Sequence, residues 1–450
     1  MFIKRIVNNK RITKNPPFLL FIMYIYLIVI GTVLLMLPIS SATGEVTGFI
    51  DALFTATSAL CVTGLTTVTT ASHWNTFGHV VIIVLIQLGG LGVMTAAGSV
   101  ALILKRRISV TERIHLAEEK NAETISGMVK LMRYILRATF IIEGVGAILL
   151  SLKFIPDFGL GKGLWFGVFH SIAAFCNAGF DIIGDMSVVP YVNNILVSTT
   201  IILLILFGGL GYGVYRDVIQ KKKFKKLTLH TKIVIVTTLA ITLGGSLLVF
   251  LLEWSNPATM AELPLKGKIL ASFFQVTTSR TAGFFSISQG GMRQATALLT
   301  IIIMFIGGSP AGTAGGIKTT TVAMLLLVSR SSIKQAKDIT TFRRRIPNEL
   351  ARKATTIFIV AIVFVLLVTF LLTIIETDKD FLDILFEVTS AFSTTGLTRG
   401  ITTSLTTASK VIIAATMLFG KLGPLTMMYA FTTKETPKAF REAEESIIVG

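Results

Sequence analysis

The chain has 450 residues, of which 52% are hydrophobic and 15% charged, with a formal net charge of +18. A soluble domain of this length would need a far more polar surface, and the two cysteines, Cys61 and Cys176, offer neither a disulfide framework nor a metal spacing. The five histidines are scattered without an HExxH-type pair, and no nucleophile or acid/base pair emerges, so the sequence does not read as an enzyme.

From the N-terminus, a basic leader with Lys4, Arg5, Lys10, Arg11 and Lys14 precedes an apolar run from Phe18 to Leu37. The run reaches the roughly 20 residues that cross hydrocarbon, exceeds the apolar core of a signal peptide and lacks an Ala-x-Ala-like cleavage site, so it reads as a first transmembrane helix. Phe54 then leads, ten positions on, to Gly64 in Cys61-Val62-Thr63-Gly64-Leu65. The same spacing joins Phe169 to Gly179 in Cys176-Asn177-Ala178-Gly179-Phe180, and Phe273 to Gly283 in Arg280-Thr281-Ala282-Gly283-Phe284. It returns from Phe386 to Gly396 in Ser393-Thr394-Thr395-Gly396-Leu397. Long apolar segments, such as Ile195 to Leu206 and Ile357 to Ile375, flank the copies. An apolar helix, a re-entrant half-helix with a glycine turn and a second apolar helix, repeated four times, is what a single-chain cation pore requires.

The second apolar helices repeat as well. Gly89-Gly90-Leu91-Gly92, Gly208-Gly209-Leu210-Gly211, Gly307-Gly308-Ser309-Pro310 and Gly420-Lys421-Leu422-Gly423 follow their pore glycines by 24 to 29 residues. Glycine there permits close backbone approach or a bend. The third unit departs from the others: its second helix is interrupted from Gly307 to Thr321 by small and turn-forming residues, irregular backbone that survives at membrane depth only inside protein or along a water-filled path. Gly312, Thr313, Ala314, Gly315 and Gly316 are therefore the expected gate beneath the filter. Gly316-Ile317-Lys318 is no phosphate loop, since it lacks the adjacent Gly-Lys and a preceding strand. Lys421, where the other helices carry glycine, either projects toward the cavity as a barrier to cations or turns away to bind carbonyls of the interrupted helix.

Lys and Arg gather in the leader, from Lys105 to Arg137, in the run Lys221 to Lys226, from Arg330 to Lys353 and in the C-terminal tail, always between repeats or at a terminus. With those regions cytoplasmic, the positive-inside rule accounts for the charge with no nucleic acid, leaving lipid headgroups as contacts. The expected organisation is a cytoplasmic tail (1–18), pore repeats at 19–104, 133–217, 231–329 and 354–433, cytoplasmic segments at 105–132, 218–230 and 330–353, and a C-terminal cytoplasmic tail (434–450). The fold class is an all-α polytopic membrane protein of four M1-P-M2 repeats with fourfold pseudosymmetry and eight transmembrane helices.

Potassium sheds water before entering a narrow filter, so a ring of backbone carbonyls has to replace the hydration oxygens. The expected ligands lie in Val62, Thr63 and Gly64, in Asn177, Ala178 and Gly179, in Thr281, Ala282 and Gly283, and in Thr394, Thr395 and Gly396. Each pore half-helix adds the partial negative charge of its C-terminal end. One glycine per strand, where potassium channels carry Thr-Val-Gly-Tyr-Gly, suggests looser discrimination against sodium or rubidium. Asp181 either concentrates cations at the mouth or caps its loop. Arg280 is expected to point behind the filter and pair with an acid such as Glu387, and Glu143 needs a partner that the sequence does not reveal. His170 and the two cysteines read as packing or hydrogen-bonding residues.

The four glycine segments, the stretch Gly307-Gly308-Ser309-Pro310-Ala311-Gly312-Thr313-Ala314-Gly315-Gly316-Ile317-Lys318-Thr319 and the Gly420-Lys421-Leu422-Gly423-Pro424 helix resemble the membrane subunits of the Trk/Ktr/HKT superfamily of potassium transporters, most closely the bacterial Ktr type. The resemblance covers nearly the whole chain. It implies a homodimer with one pore per protomer, working in the cell membrane with a cytoplasmic nucleotide-binding ring of the RCK type. Potassium is then the transported ion, sodium a candidate co-ion, and nucleotide is bound by the ring alone. Members usually carry arginine at the Lys421 position. The competing function is a broken-helix secondary transporter, which predicts an inverted repeat pair and intramembrane acids, against four copies running in the same direction here.

Overall fold

The apolar runs become helices whose starts and stops follow local chemistry. The computed structural model describes residues 16–103, 108–119, 127–184, 186–432 and 445. The basic leader from Lys4 to Lys14, parts of the 105–132 linker, and the 434–450 tail apart from Glu445 lie outside the described residues. The first unit comprises α1 (Pro16–Met36), α2 (Phe49–Cys61), α3 (Thr76–Leu91) and α4 (Val93–Ile103), followed by a linker helix α5 (Val110–Glu119). The second has α6 (Met128–Phe158), α7 (Leu160–Phe175), α8 (Ile195–Leu210) and α9 (Tyr212–Lys221). The third has α10 (Leu229–Glu253), α11 (Leu265–Thr278), α12 (Gln294–Ile306) and α13 (Thr319–Ile333), and the fourth α14 (Asn348–Ile375), α15 (Phe381–Ser393), α16 (Thr407–Leu422) and α17 (Pro424–Phe431).

Asn75, Asn194 and Thr406 start α3, α8 and α16, each side-chain oxygen accepting from backbone N–H groups of the first turn. Such caps contribute about 1 kcal/mol each. The first helices α1, α6, α10 and α14 have 21, 31, 25 and 28 residues, enough to cross a bilayer. Their outer faces stay apolar: Leu239, Leu243, Leu247 and Leu251 form an exposed stripe on α10, while Thr238, Thr242 and Ser246 face inward. This is the patterning of a helix with lipid on one side and protein on the other.

All four second helices break, not only the third. Three turn sharply at a single glycine, by 100° at Gly92, 94° at Gly211 and 97° at Gly423. Pro424 follows the last of these at the first position of α17, where a missing N–H costs nothing. In the third unit α12 stops at Ile306 and irregular backbone runs through 307–318 before α13.

One departure from the all-α expectation lies in the 330–353 segment, where β1 (Ile339–Thr341) and β2 (Arg344–Ile346) form an antiparallel hairpin. It holds because Ile339 and Ile346 bury against Met324 and Ala354.

The four units close into a ring. Each second helix packs on the pore half-helix of the next unit: α3 on α7, α8 on α11, α12 on α15, and α16 back on α2. On the half-helices themselves Phe54, Phe169 and Phe386 are buried.

Candidate cation pathway

The four half-helices α2, α7, α11 and α15 deliver the repeated segments to one place. In every segment the residue two before the glycine has positive φ: Val62 at 59°, Asn177 at 59°, Thr281 at 72° and Thr394 at 53°. That conformation is an outlier for β-branched residues and persists only where the surroundings impose it. Here the next N–H fixes it, Thr63 donating to the Ser58 carbonyl at 2.8 Å, Ala178 to Ala173 at 2.7 Å, Ala282 to Thr278 at 2.8 Å and Thr395 to Ser390 at 2.8 Å. The Ser58 and Ser390 hydroxyls also accept from the Gly64 and Gly396 N–H groups, at 3.0 and 3.1 Å.

The glycines themselves interlock. A Cβ on Gly64 would strike the Ala178 carbonyl, one on Gly179 the Ala282 carbonyl, one on Gly283 the Thr395 carbonyl, and one on Gly396 the Thr63 carbonyl. Each strand thus abuts the carbonyl that precedes its neighbour's glycine, and the fourth returns to the first. Only glycine permits this approach at positive φ. Thr63, Gly64, Ala178, Gly179, Ala282, Gly283, Thr395 and Gly396 are brought together; Val62, Asn177, Thr281 and Thr394 form the preceding layer. Behind them, Gly89, Gly208 and Gly420 lie so close to the Leu60, Phe175 and Phe392 carbonyls that a side chain would collide with them.

The interrupted segment lies against this second layer. Its Ser309 and Thr313 N–H groups donate to the Gly209 and Gly208 carbonyls at 2.9 and 3.1 Å. The Thr313 hydroxyl reaches the Phe175 carbonyl at 3.3 Å and Asn177 Oδ1 at 3.2 Å, while a Cβ on Gly315 would meet Thr394. Two ammonium groups fasten the loop: Lys318 Nζ donates to the carbonyls of Ala314 at 2.6 Å and Gly315 at 3.3 Å, and Lys421 Nζ to that of Thr313 at 3.1 Å. The Lys421 contact is the carbonyl bond of one of its two sequence readings. From sequence, Lys318 enters only as part of a rejected phosphate loop; a lone cation closing a stretch of small residues is the signal that could have found its contacts with the loop.

Around the pathway, one expectation is corrected. Arg280 does not pair with Glu387, whose carboxylate instead accepts from the Thr398 and Thr402 hydroxyls at 2.7 and 2.5 Å. The Arg280 guanidinium turns the other way and donates to Thr238 Oγ1 at 3.3 Å. Glu143 gains the partners that sequence could not supply, Gln87 Nε2 at 3.4 Å and Cys176 Sγ at 3.8 Å, behind the second glycine segment. Asp181 caps its loop, accepting from the Ile183 N–H at 2.9 Å and the Gly184 N–H at 3.4 Å. His170 bonds the Phe166 carbonyl at 2.7 Å among aromatic rings.

A ring of helix, re-entrant segment and helix around converging backbone carbonyls is the architecture of a multi-pass membrane cation transport protein, not of an enzyme. Residues 10–442 match the TrkH family of cation transport proteins, and the chain belongs to that family. It is 40% identical to the potassium/sodium uptake protein NtpJ of Enterococcus hirae, over 99% of this chain and 100% of that one. It is 42% identical to the Ktr system potassium uptake protein B of Bacillus subtilis, over 94% of each, and 35% identical to its namesake from Vibrio alginolyticus, over 97% of this chain and 95% of that one. Among solved structures, the potassium transporter TrkH of Vibrio parahaemolyticus superposes with a TM-score of 0.72 over 92% of this chain and 84% of that one; at 18% identity the likeness is one of fold.

Proposed function

We propose that the chain is the ion-translocating subunit of a potassium uptake system, passing monovalent cations through a four-glycine filter. The observation that carries this reading is the closed contact of Gly64, Gly179, Gly283 and Gly396, each against its neighbour's carbonyl. Such a ring offers a dehydrated cation a cage of oxygens, and the C-terminal ends of four half-helices favour positive charge there. The names of the relatives, potassium or potassium/sodium uptake proteins, support the same ion class.

The 307–318 loop is the gate in this reading. It lies across the layer that holds Asn177 and Thr394, held by Lys318 and Lys421. The protein works as a homodimer in the cell membrane with both termini cytoplasmic, coupled to a cytoplasmic nucleotide-binding ring of the RCK type. The segments from Arg216 to Lys226 and Arg330 to Arg345 are candidate ring contacts, as is the tail from Glu442 to Gly450, which lies outside the described residues except Glu445.

The test is potassium and sodium flux through the purified protein in liposomes, with and without a ring partner. Potassium uptake above sodium uptake, raised by the partner, is expected. Flux of neither ion under any condition would remove the reading.

A further inference from the structure

We infer that the polar cluster behind the third glycine segment binds a small monovalent anion, ligated by the guanidinium of Arg280 and by hydroxyls of α10. Arg280 is only 4% exposed. Among the described residues it makes no ion pair with a carboxylate; its side chain has one hydrogen bond, Nη2 to Thr238 Oγ1 at 3.3 Å, and its Nε has no partner. A guanidinium carries five N–H donors and stays ionised. Buried beside a cation pathway, such a charge is unfavourable both for folding and for the ion, and the C-terminal end of α11, two residues before it, offsets it only in part.

The facing surface is built of further polar groups that lack partners. Thr238, Thr242 and Ser246 stand four apart on α10 and so share one stripe. The Thr242 and Ser246 hydroxyls are buried and unpaired, as is that of Thr277, one turn before Arg280. Two contacts fix the alignment of the antiparallel elements: a Cβ on Gly245 would lie 3.0 Å from Val276, and Arg280 reaches Thr238. Thr242 falls between these two contacts, on the side of α10 that faces the end of α11.

A buried cation bonded to one hydroxyl, with further unpaired hydroxyls on the same helix stripe and no paired carboxylate among the described residues, is the chemistry of an anion site. Water would satisfy the hydrogen bonds but would leave the charge. The degree of burial favours a compact halide over an oxyanion. An anion there would cancel the guanidinium's repulsion of potassium at the third strand. That effect on flux rests on the filter reading above; the binding does not.

The experiment compares the purified full chain in potassium chloride and in potassium gluconate at equal ionic strength, reading thermal unfolding and, in liposomes, rubidium uptake. Wild type should unfold at a lower temperature in gluconate and take up rubidium more slowly. Arg280→Gln should lose the difference between the salts. Thr242→Val, which keeps the guanidinium, should raise the chloride concentration for half-maximal stabilisation about tenfold, as expected for one hydrogen bond to a charged ligand. Bromide should replace chloride and give an anomalous signal beside Arg280. Equal unfolding temperatures for wild type in the two salts would overturn the proposal, as would full chloride dependence in Arg280→Gln. If Arg280→Gln does not fold, an unchanged chloride midpoint in Thr242→Val overturns it alone. Uptake absent in both salts, with chloride-dependent unfolding intact, would instead remove the filter reading and leave the anion site standing.

Discussion

The Lys421 ammonium and the Thr313 carbonyl, 108 positions apart in the chain, meet at 3.1 Å. A lysine standing where the three sister units carry Gly90, Gly209 and Gly308 therefore ties the fourth unit to the interrupted segment of the third. The charge is spent on a backbone oxygen of the loop, so its removal should act on the loop.

Lys421→Ala is expected to raise basal rubidium uptake about tenfold, the loss of one charge-assisted hydrogen bond worth ~1.5 kcal/mol to the closed arrangement. Lys421→Arg should stay near wild type, and the order of ion preference should not move. Uptake unchanged in a correctly folded alanine variant would count against the fastening role.

The ring of glycines predicts a sharp positional contrast. Gly64→Ala places a methyl against the Ala178 carbonyl at a φ of +96° and should weaken potassium affinity by about tenfold or more. Gly98→Ala meets the flexible end of Met132, at 2.7 Å from its sulfur, and Leu116 at an ordinary 3.7 Å, and should be tolerated. Concentration-dependent uptake by the two variants, normalised to protein in the membrane, makes the comparison; equal losses would sink the filter assignment.

Thr313→Val removes the hydroxyl that touches both the Phe175 carbonyl and Asn177. Basal uptake should rise severalfold, about what one or two neutral hydrogen bonds represent, and deleting residues 312–316 should raise it further while weakening dependence on a ring partner. A folded deletion variant with wild-type flux would take the loop out of the pathway.

Glu119 at the end of α5 accepts from the Met94 and Thr95 N–H groups and the Thr95 hydroxyl, at 2.7, 3.0 and 2.8 Å, capping α4 just past the turn at Gly92. Glu119→Ala should lower stability by about 1–2 kcal/mol, read as a reduced unfolding temperature in detergent. No change would mean that α5 does not brace this turn.

The sequence made the ring legible because glycine was irreplaceable at one point in each strand, and four such points at matched spacing survive in the letters. It made the loop legible because small residues cannot continue a membrane helix. Neither signal reached the positive φ at Val62, Thr281 and Thr394, since nothing in a β-branched residue announces a conformation it rarely adopts. The turns at Gly92, Gly211 and Gly423 are one of two readings of the sequence, because glycine in a membrane helix serves close packing as well as bending. Partners of buried charges were hardest to read. Arg280 and Glu387 are opposite in sign and close to neighbouring strands, yet threonines take each of them separately, through contacts that depend on helix register.

A pore made from four identical chains answers every codon change at four positions at once. Here the ring is written in a single reading frame, and a substitution reaches one quadrant only. Asn177, Arg280 and Lys421 each occur in one segment, where the other three carry something else. Three quadrants can keep their contacts while the fourth acquires a new duty, so such a protein can vary in quarter steps.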